Sequence, residues 1–524
     1  MLYLSRPPAM VPSSFAATAT AALALLSIAS SSSASPLLWE RNNGLASCLR
    51  SDGIRTVTTY SAAYSQDSAA YNQRIQPKPA ALVYPSTPSQ ISSALLCAAK
   101  TNTSVSARGG GHSYASYGLG GADGALVIDL SGFQNVTVSE EGVASIGAGQ
   151  RLGDVALALN EQGWALSHGT CPFVGIGGHA SYGGFGFAAR MWGLTLDAVA
   201  AYDVVLANGT ILTNVTRASS EDLFWALNGA APSYAIITTY HFTALHAPAT
   251  AVIFSYSYSN SPSVVTAATA FNSFASFGNE SAPANLGLQA TIGADSLTIN
   301  GVWYGPRAEF DGVIEPLTNE LPPGYSSSVE TYSWIESLEQ LANGEALNTT
   351  GHTEGRDDFY TMSLMTPSTV PISIDVLERY FNYLVTSNTT TNWFVQADLY
   401  GGSNSQINAV SLSDSSFGHR DKLLTFQMYA SSPTYGQPYP EDGVSFVQGM
   451  YDTIVDGMTS IGAWSNKSTD PNGYAAYINY VDPLLTPSEV RNLYWGAQYP
   501  RLQTVKEEYD PNQVLRNPQS IVPA

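Results

Sequence analysis

The chain has 524 residues, of which 44% are hydrophobic and 12% are charged, so it can bury a large core and is too long for one small domain. Its formal net charge is −20 and its pI is near 4.6, and no run of Lys or Arg is present. This charge argues against binding to nucleic acid or to an anionic membrane, and two or three domains are predicted.

The N-terminus has the pattern of a secretory signal peptide. Arg6 precedes an apolar run over residues 16–29, and the small-residue stretch SSSASP follows, which predicts a signal peptide over residues 1–34 with cleavage near Ala34 or Ser35. A membrane anchor is the alternative, but the run contains polar residues and is shorter than the ~20 apolar residues that a span needs. Glycosylation sequons agree with secretion and begin at Asn102, Asn135, Asn208, Asn214, Asn279, Asn348, Asn388 and Asn466.

The chain contains three cysteines, an odd number for an oxidising compartment. Cys48 and Cys97 both lie in the N-terminal region and are predicted to form a disulfide. Cys171 is then left as a free thiol, which is either a small buried apolar residue or a functional group.

The first half of the chain begins with a βαβ-like pattern. Residues 81–85 (ALVYP) and 125–130 (ALVIDL) have the composition of short buried strands, and residues 89–101 have helical spacing that starts at Ser89. Residues 142–163 then predict a strand, a glycine turn and an amphipathic helix.

The next elements predict the end of a first domain. Residues 201–213 (AYDVVLANGTILT) predict a β-hairpin whose turn lies at Asn208 and the following glycine. A helix over 219–230 with acidic residues in its first turn and a strand over 236–245 follow. The first domain is therefore predicted over residues 35–248.

The second half predicts an α+β domain over residues 249–473. Alternating patterns over 252–259 and 286–293 indicate strands of a large antiparallel sheet, and 376–385 indicates a helix that backs it. The remaining segment, 474–524, is rich in Pro and Asn and is predicted to return to the first domain.

Two glycine-rich stretches carry the functional signal. ARGGGHSYASYG (107–118) places three glycines before a histidine, and HGTCPFVGIGGHASYGGFGF (168–187) surrounds Cys171 with residues that lack bulk. Such runs are costly unless the backbone turns sharply or a ligand approaches it, although a turn-rich loop is the alternative. His112 and Cys171 thus suggest attachment of one cofactor at two points.

Other cofactor motifs are not supported by the sequence. GAGQRLG (147–153) has the spacing GxGxxxG, which does not match the dinucleotide fingerprint GxGxxG, and a plain glycine turn is the better interpretation. GxxxxGK, HExxH and CxxC are missing, so neither nucleotide hydrolysis nor a zinc site is predicted.

The ordered set RGGGHSY, GAGxxLGDV, GTCPxVGxGGHxxYGGFG, RxWGLxLD, DLFWAL, YxNYxD and PQSI resembles the FAD-linked oxidases of the berberine-bridge-enzyme type. Within that group the chain most resembles the fungal oligosaccharide oxidases. The resemblance implies a two-domain α+β fold: an FAD-binding domain of the PCMH, or vanillyl-alcohol-oxidase, type and a substrate domain built on a large antiparallel sheet backed by helices. In DLFWALNGAAPSYAIIT this chain departs from its relatives at Asn228, Ala230 and Ala235.

The resemblance also implies that FAD is covalently bound, with His112 linked to the 8α carbon and Cys171 linked to C6. Further cofactor-binding residues that it implies are Arg108, Gly109, Gly110, Gly111, Ser113, Thr170, Gly175, Gly177, Gly178, His179 and Gly183.

A tyrosine of the YxNYxD segment is implied as the catalytic base, which leaves Tyr477 and Tyr480 as alternatives. Tyrosine has a pKa of about 10, so either residue needs help from its neighbours, and plain aromatic packing is the other interpretation. Asp398 is expected to polarise or orient the base. Substrate-facing positions are expected at Tyr114, Gln396 and Gln427, and the residue beside the oxygen path is expected to be Val174.

These features together predict a secreted, monomeric enzyme that oxidises the C1 hemiacetal of a neutral mono- or oligosaccharide to a lactone and reduces O2 to H2O2. No metal, nucleic-acid or membrane partner is expected. The alternatives are an oxidase of an alcohol or amine in secondary metabolism, and a flavin- or carbohydrate-binding protein without turnover.

Overall fold

The computed structural model describes residues 36–352 and 355–524, with side chains from residue 44 onward. The predicted signal peptide lies outside these residues, while residues 41–524 form one compact unit. None of the described helices combines the length and the apolar character that crossing a bilayer requires.

The strands are β1 (Thr56–Thr58), β2 (Ala81–Val83), β3 (Val105–Arg108), β4 (Leu126–Asp129), β5 (Val136–Val138), β6 (Val143–Gly147), β7 (Trp164–Ala165), β8 (Val199–Leu206), β9 (Ile211–Val215), β10 (Ala235–Thr243), β11 (Leu245–His246), β12 (Ala251–Tyr258), β13 (Leu286–Gly293), β14 (Ser296–Trp303), β15 (Ser326–Tyr332), β16 (Phe359–Pro367), β17 (Asn392–Leu399) and β18 (Lys422–Ser431).

The helices are α1 (Pro36–Ser51), α2 (Tyr64–Asp67), α3 (Pro88–Lys100), α4 (Leu152–Asn160), α5 (Ile176–Ser181), α6 (Ala189–Trp192), α7 (Glu221–Ala230), α8 (Val264–Glu280), α9 (Arg307–Glu320), α10 (Trp334–Leu341), α11 (Ile374–Thr386), α12 (Gln406–Ala409), α13 (Glu441–Ser460), α14 (Pro487–Val490) and α15 (Tyr499–Tyr509).

The first sheet has the strand order β1-β2-β4-β3, in which β2 and β3 both run parallel to the central β4. Helix α3 connects β2 to β3, as the predicted βαβ pattern requires. The helix starts earlier than predicted, because the Thr87 side chain accepts a hydrogen bond from the Gln90 N–H and Pro88 occupies the first turn. Proline suits that position since its missing N–H has no helical partner there.

A second, antiparallel sheet has the order β5-β6-β10-β8-β9. It contains the predicted hairpin, since β8 and β9 pair on either side of a turn in which Gly209 has φ +83°. Glycine tolerates this left-handed conformation without strain. The predicted disulfide is also confirmed: Cys48 of α1 is bonded to Cys97 of α3, with 5.7 Å between their Cα atoms.

In the second half of the described chain, the seven strands β15-β12-β14-β13-β17-β18-β16 form an antiparallel sheet. Helices α8, α11 and α13 pack on one face of this sheet and share an apolar core with it. The predicted α+β class and the large antiparallel sheet backed by helices are confirmed.

The C-terminal segment packs against the first half of the chain. The Val105 N–H donates to the Val514 carbonyl at 2.8 Å, and the Tyr234 hydroxyl donates to the Leu502 carbonyl at 2.7 Å. Leu502 and Ile521 belong to the apolar core around the first two sheets. The boundaries predicted at residues 248 and 473 stay predictions.

Candidate active site

The two glycine-rich segments meet backbone to backbone. A Cβ added at Gly110 would collide with the backbone of Gly175 and lie 2.9 Å from the Phe173 carbonyl oxygen, and a Cβ at Gly175 would collide with Gly110 in return. The glycines of RGGGH are therefore required by the close approach of the second segment. A Cβ at Gly178, in contrast, would point into open space.

This contact brings the two predicted attachment residues together. The Cys171 sulfur lies 3.6 Å from Nε2 of His112, although 59 residues separate them, and it lies 3.7 Å from the Glu345 carboxylate. Cys171 forms no disulfide and is partly exposed. The His112 ring stacks on Tyr71, with ring centroids 3.9 Å apart. Two nucleophilic atoms thus face one space, where one ligand can meet both.

Several predicted cofactor residues have structural partners of their own. The Arg108 guanidinium is paired with Asp129 at 2.6 Å, and its other end donates to the Asp67 carbonyl. Ser113 accepts a hydrogen bond from the Tyr117 N–H at 3.1 Å. Arg108 therefore holds β3 against β4, and the backbone of the glycine segment is left as the surface that a cofactor can approach.

His179 is buried and accepts a hydrogen bond from the Gly169 N–H at 3.1 Å. Burial lowers the pKa of this imidazole to about 3, so the ring is neutral at physiological pH. It fixes the segment that carries Thr170 and Cys171. Val174 follows that segment, packs partly buried against the first core, and accepts a hydrogen bond from the Leu152 N–H at 2.9 Å.

The two candidate tyrosines have different surroundings. Tyr477 is 2% exposed, and its hydroxyl oxygen accepts hydrogen bonds from the N–H groups of Gly184 (3.0 Å) and Phe185 (3.1 Å) and from Nδ2 of Asn479 (3.0 Å). Gly183 has φ +120°, and a Cβ there would lie 3.1 Å from the Tyr477 ring. Tyr477 is thus enclosed by the backbone of the second glycine segment.

Tyr480 is partly exposed at the end of a short 3-10 turn, Ile478–Tyr480. Its ring is parallel to that of Tyr114 at 6.0 Å and meets Tyr477 edge-on at 5.1 Å. Burial raises its pKa, and the negative charge of Asp398 is the next cause. The Tyr480 hydroxyl is therefore electrostatically coupled to Asp398.

Asp398 is 4% exposed and accepts a hydrogen bond from Nε2 of Gln289 at 2.7 Å. Burial raises the pKa of this carboxyl group to about 7, and the hydrogen bond from Gln289 acts in the opposite direction. A carboxylate with such a pKa can exchange a proton near neutral pH.

Two of the three predicted substrate residues, Gln396 and Gln427, lie on the same face of the seven-stranded sheet. Gln396 is the cross-strand neighbour of Gln427, two residues before Asp398 on β17. Nε2 of Gln427 donates to the Tyr114 hydroxyl at 2.7 Å. The structure therefore joins Tyr114, which follows His112 by two residues, to the sheet that carries Asp398.

Sequence reasoning missed Gln289, Tyr71, Asn479 and Glu345. Gln289 had a detectable signal, because it is a polar residue in the predicted strand 286–293 and alternates with buried apolar residues. Tyr71 and Glu345 lie in irregular segments far from the motifs, and nothing in the local sequence marks them.

Two family models match the chain: an FAD-binding domain over residues 79–214, and a "berberine and berberine like" segment over residues 476–522. The first contains His112 and Cys171, and the second contains both tyrosines.

Similar curated proteins extend over almost the whole chain. Glucooligosaccharide oxidase of Sarocladium strictum is 34% identical over 96% of this chain and 98% of its own length. Chitooligosaccharide oxidase of Gibberella zeae is 33% identical over 95% and 98%. The FAD-linked oxidoreductase dpmaF of Metarhizium anisopliae is 35% identical over 92% and 91%.

A solved structure of glucooligosaccharide oxidase from Acremonium strictum superimposes with a TM-score of 0.84 and 32% identity, over 92% of this chain and 100% of that one. Its FAD is described as 6-S-cysteinyl, 8α-N1-histidyl FAD. That description names one cysteine and one histidine, the residue types that the glycine segments bring together here.

Proposed function

The chain belongs to the FAD-dependent carbohydrate oxidases of the berberine-bridge type, and on this premise we propose that it oxidises the C1 hemiacetal of a mono- or oligosaccharide to the lactone and reduces O2 to H2O2. The observation that carries the proposal is the stacking of Tyr480 on Tyr114, with ring centroids 6.0 Å apart, two residues from His112 in the chain; the charge of Asp398 also raises the pKa of Tyr480. A candidate base is thereby held next to the attachment site of the cofactor.

The residues present fit FAD. Backbone that lacks a side chain borders open space at Gly178, seven residues after Cys171, and the Cys171 sulfur lies 3.6 Å from Nε2 of His112. We infer that His112 and Cys171 hold the isoalloxazine ring covalently. Glycine backbone can approach a flat ring or a pyrophosphate closely, because no Cβ intervenes. When bound, FAD supplies the acceptor for the hydride that leaves C1.

Tyr480 is the better candidate for the base. The charge of Asp398 raises the pKa of both tyrosines, and for Tyr480 it is the largest cause after burial, whereas the Tyr477 hydroxyl already accepts hydrogen bonds from three N–H groups. In this proposal Tyr480 takes the proton from the C1 hydroxyl and Asp398 accepts the phenolic proton in turn. A carboxylate with a pKa of about 7 is matched to that task at neutral pH.

Uncharged polar groups surround the proposed base. Gln396, Gln427 and Tyr114 offer amide and hydroxyl groups, and the protein carries a net charge of −20. Such groups suit the hydroxyls of a neutral sugar better than an anionic substrate. We propose that these three residues contact the sugar and that Val174 borders the path of oxygen.

A secreted location is part of the proposal. The Cys48–Cys97 disulfide suits an oxidising compartment. All predicted sequons except Asn279 have an exposed asparagine side chain, which leaves them accessible to glycosylation.

The experiment uses the purified holoenzyme under anaerobic conditions with glucose, with gluco-, xylo- and chito-oligosaccharides, with an aromatic alcohol and with an amine. We expect flavin bleaching with at least one sugar, H2O2 on admission of air, and the aldonic acid by mass spectrometry. Flavin should also stay on the chain after denaturation, as two covalent bonds require.

Bleaching by the alcohol or the amine alone would contradict the proposal and favour the alternative, an oxidase of an alcohol or amine. Retained flavin without bleaching by any of the compounds would indicate a flavin- or carbohydrate-binding protein. Complete release of flavin on denaturation would contradict the covalent attachment and leave the proposed reaction unaffected.

A further inference from the structure

A chain of polar side chains leads to Asp398 across three neighbouring strands. Gln289 on β13 is the cross-strand neighbour of Asp398 on β17 and of Asn300 on β14. Nε2 of Gln289 donates to Oδ1 of Asp398 at 2.7 Å, and the Thr291 hydroxyl donates to Oε1 of Gln289 at 3.0 Å. Both ends of the Gln289 amide group are therefore engaged.

The direction of the Gln289 amide determines which form of Asp398 it stabilises. Its NH2 group can only donate, so it favours the ionised carboxylate when it faces Asp398. If the amide were reversed, its carbonyl oxygen would face the carboxyl group, and only the protonated acid could make a hydrogen bond there. Asp398 is 4% exposed, so water compensates little for an unfavourable partner.

Thr291 favours the direction in which the amide nitrogen faces Asp398, because the reversed amide would need this hydroxyl to accept from Gln289 and to donate only to the more distant Asn300. Its hydroxyl carries one proton and has two acceptors within reach, Oε1 of Gln289 at 3.0 Å and Oδ1 of Asn300 at 3.4 Å. When the proton goes to Gln289, the amide nitrogen must face Asp398. The branched Cβ of threonine restricts χ1 and thereby holds the hydroxyl oxygen in one place beside Gln289.

We propose that Gln289 and Thr291 are positioning residues that keep Asp398 ionised for the reaction: Gln289 donates to the carboxylate, and Thr291 fixes the direction of the Gln289 amide. This inference rests on the proposed function, because it assumes that Asp398 accepts a proton during sugar oxidation. It assigns no direct contact of either residue with the substrate.

The pH dependence follows from the groups that face Asp398. Burial raises the pKa of Asp398 to about 7, Gln289 counteracts this rise, and Tyr477 and Tyr480 are the titratable residues whose pKa values its charge raises. An acceptor must be ionised at the start, so flavin reduction should increase with pH through about 7. Removal of the Gln289 donor raises the pKa of Asp398 and moves this acid limb to higher pH.

The experiment measures flavin reduction by a saturating sugar in Gln289→Leu and Thr291→Val, from about pH 5 to about pH 9. Loss of a hydrogen bond to a charged group should move the acid limb of Gln289→Leu upward by about one pH unit, so the rate near pH 6 falls about tenfold and recovers at high pH. Thr291→Val keeps the shape of threonine, and we expect a smaller shift in the same direction.

Two variants serve as controls. Thr291→Ser keeps the hydroxyl and should show the same acid limb of the pH–rate profile as the wild-type protein. Thr298→Val removes an equivalent hydroxyl from the next strand, where its partner is Ser257 at 3.0 Å, and it should leave the limb in place. If the substitutions acted only by disturbing the structure, they would lower the rate at every pH, and Thr298→Val would lower it as well.

A second readout does not depend on turnover. Difference infrared spectroscopy follows the C=O band of a protonated carboxyl group, and the band that disappears in Asp398→Asn belongs to Asp398. We expect its midpoint to rise in Gln289→Leu. An unchanged midpoint and an unchanged acid limb in Gln289→Leu would overturn the inference. If wild-type protein is not reduced by sugar while the midpoint still moves, the proposed function fails and the positioning of Asp398 stands.

Discussion

Tyr477 and Tyr480 lie three residues apart, and their hydroxyl groups differ in their ability to accept a proton from a substrate. Three N–H donors occupy the Tyr477 oxygen, and two of them belong to the backbone of the second glycine segment. The ring of Tyr480 faces Tyr114, and the negative charge of Asp398 raises the pKa of the Tyr480 hydroxyl. A general base needs a free lone pair for the substrate proton, and this requirement favours Tyr480.

Replacement of these tyrosines by phenylalanine separates the two roles. We expect Tyr480→Phe to lower the rate of flavin reduction by about 10²-fold or more, the usual scale for loss of general-base help. Tyr477→Phe should instead lower the free energy of unfolding by about 1–3 kcal/mol, because the Gly184 and Phe185 N–H groups lose their acceptor. Stopped-flow absorbance and thermal unfolding measure the two effects.

Each variant is the control for the other, since both changes remove one hydroxyl and keep the ring. A fall in rate confined to Tyr477→Phe would assign the base to Tyr477. Unchanged flavin reduction in both variants would mean that neither tyrosine is the base.

At the scale of elements, the site depends on how closely two chain segments approach. The loop after β3 and the loop before α5 touch through Gly110 and Gly175, where any side chain would overlap backbone atoms. Backbone cannot move aside as a flexible side chain can. This contact sets the separation of His112 and Cys171, because His112 follows Gly110 and Cys171 precedes Gly175 by only a few residues.

Gly110→Ala should push the two segments apart. We expect the free energy of unfolding to fall by about 1–3 kcal/mol, the usual cost of overpacking, and the fraction of flavin bonded to both residues to fall with it. Differential scanning calorimetry and peptide mass spectrometry measure these quantities.

Gly312→Ala is the matched control for this change. Gly312 lies exposed in α9, and an added Cβ there meets no atom within 4 Å. Alanine favours a helix over glycine by about 1 kcal/mol, so stability should be equal or higher and flavin attachment normal. Wild-type attachment and stability in Gly110→Ala would contradict the role given to the glycine contact.

At the scale of the whole molecule, Arg190 joins the two halves of the chain. It is 1% exposed, and its guanidinium donates to the backbone carbonyls of Ala282, Pro283, Leu286, Gly401 and Ser403. Burial lowers its pKa to about 10, so it stays protonated at neutral pH. Helix α6, just after the second glycine segment, is thereby tied to the ends of β13 and β17, and β17 carries Asp398.

Arg190→Lys keeps the charge but has only three donors for these carbonyls. At least two buried acceptors are left unpaired, and at about 1–3 kcal/mol each we expect a loss of roughly 3 kcal/mol in the free energy of unfolding. Urea titration followed by tryptophan fluorescence measures it. Arg307→Lys, at an exposed pair with Asp311, should change stability by less than about 0.5 kcal/mol. Equal stability of the two variants would show that Arg190 contributes no more than a surface residue.

The sequence by itself determined the features that depend on neighbouring residues. The hairpin of β8 and β9 follows from alternation around an Asn-Gly turn, and β13 matches the predicted strand 286–293 because its apolar and polar residues alternate with period two. The glycine motifs pointed to His112 and Cys171 for a similar reason, because the glycines that leave the backbone without side chains are near neighbours of these two residues in the sequence.

Only the tertiary structure decided what depends on residues far apart in the chain. Gln289 and Asp398 are 109 positions apart, and Tyr477 lies 293 positions from the Gly184 N–H that it binds. The motif YxNYxD left two tyrosines equivalent, and they became distinct only when folding placed different donors and charges around them. Periodicity acts over a few residues, whereas hydrogen bonding and burial, which set the pKa of Asp398, arise from every segment that packs around a group.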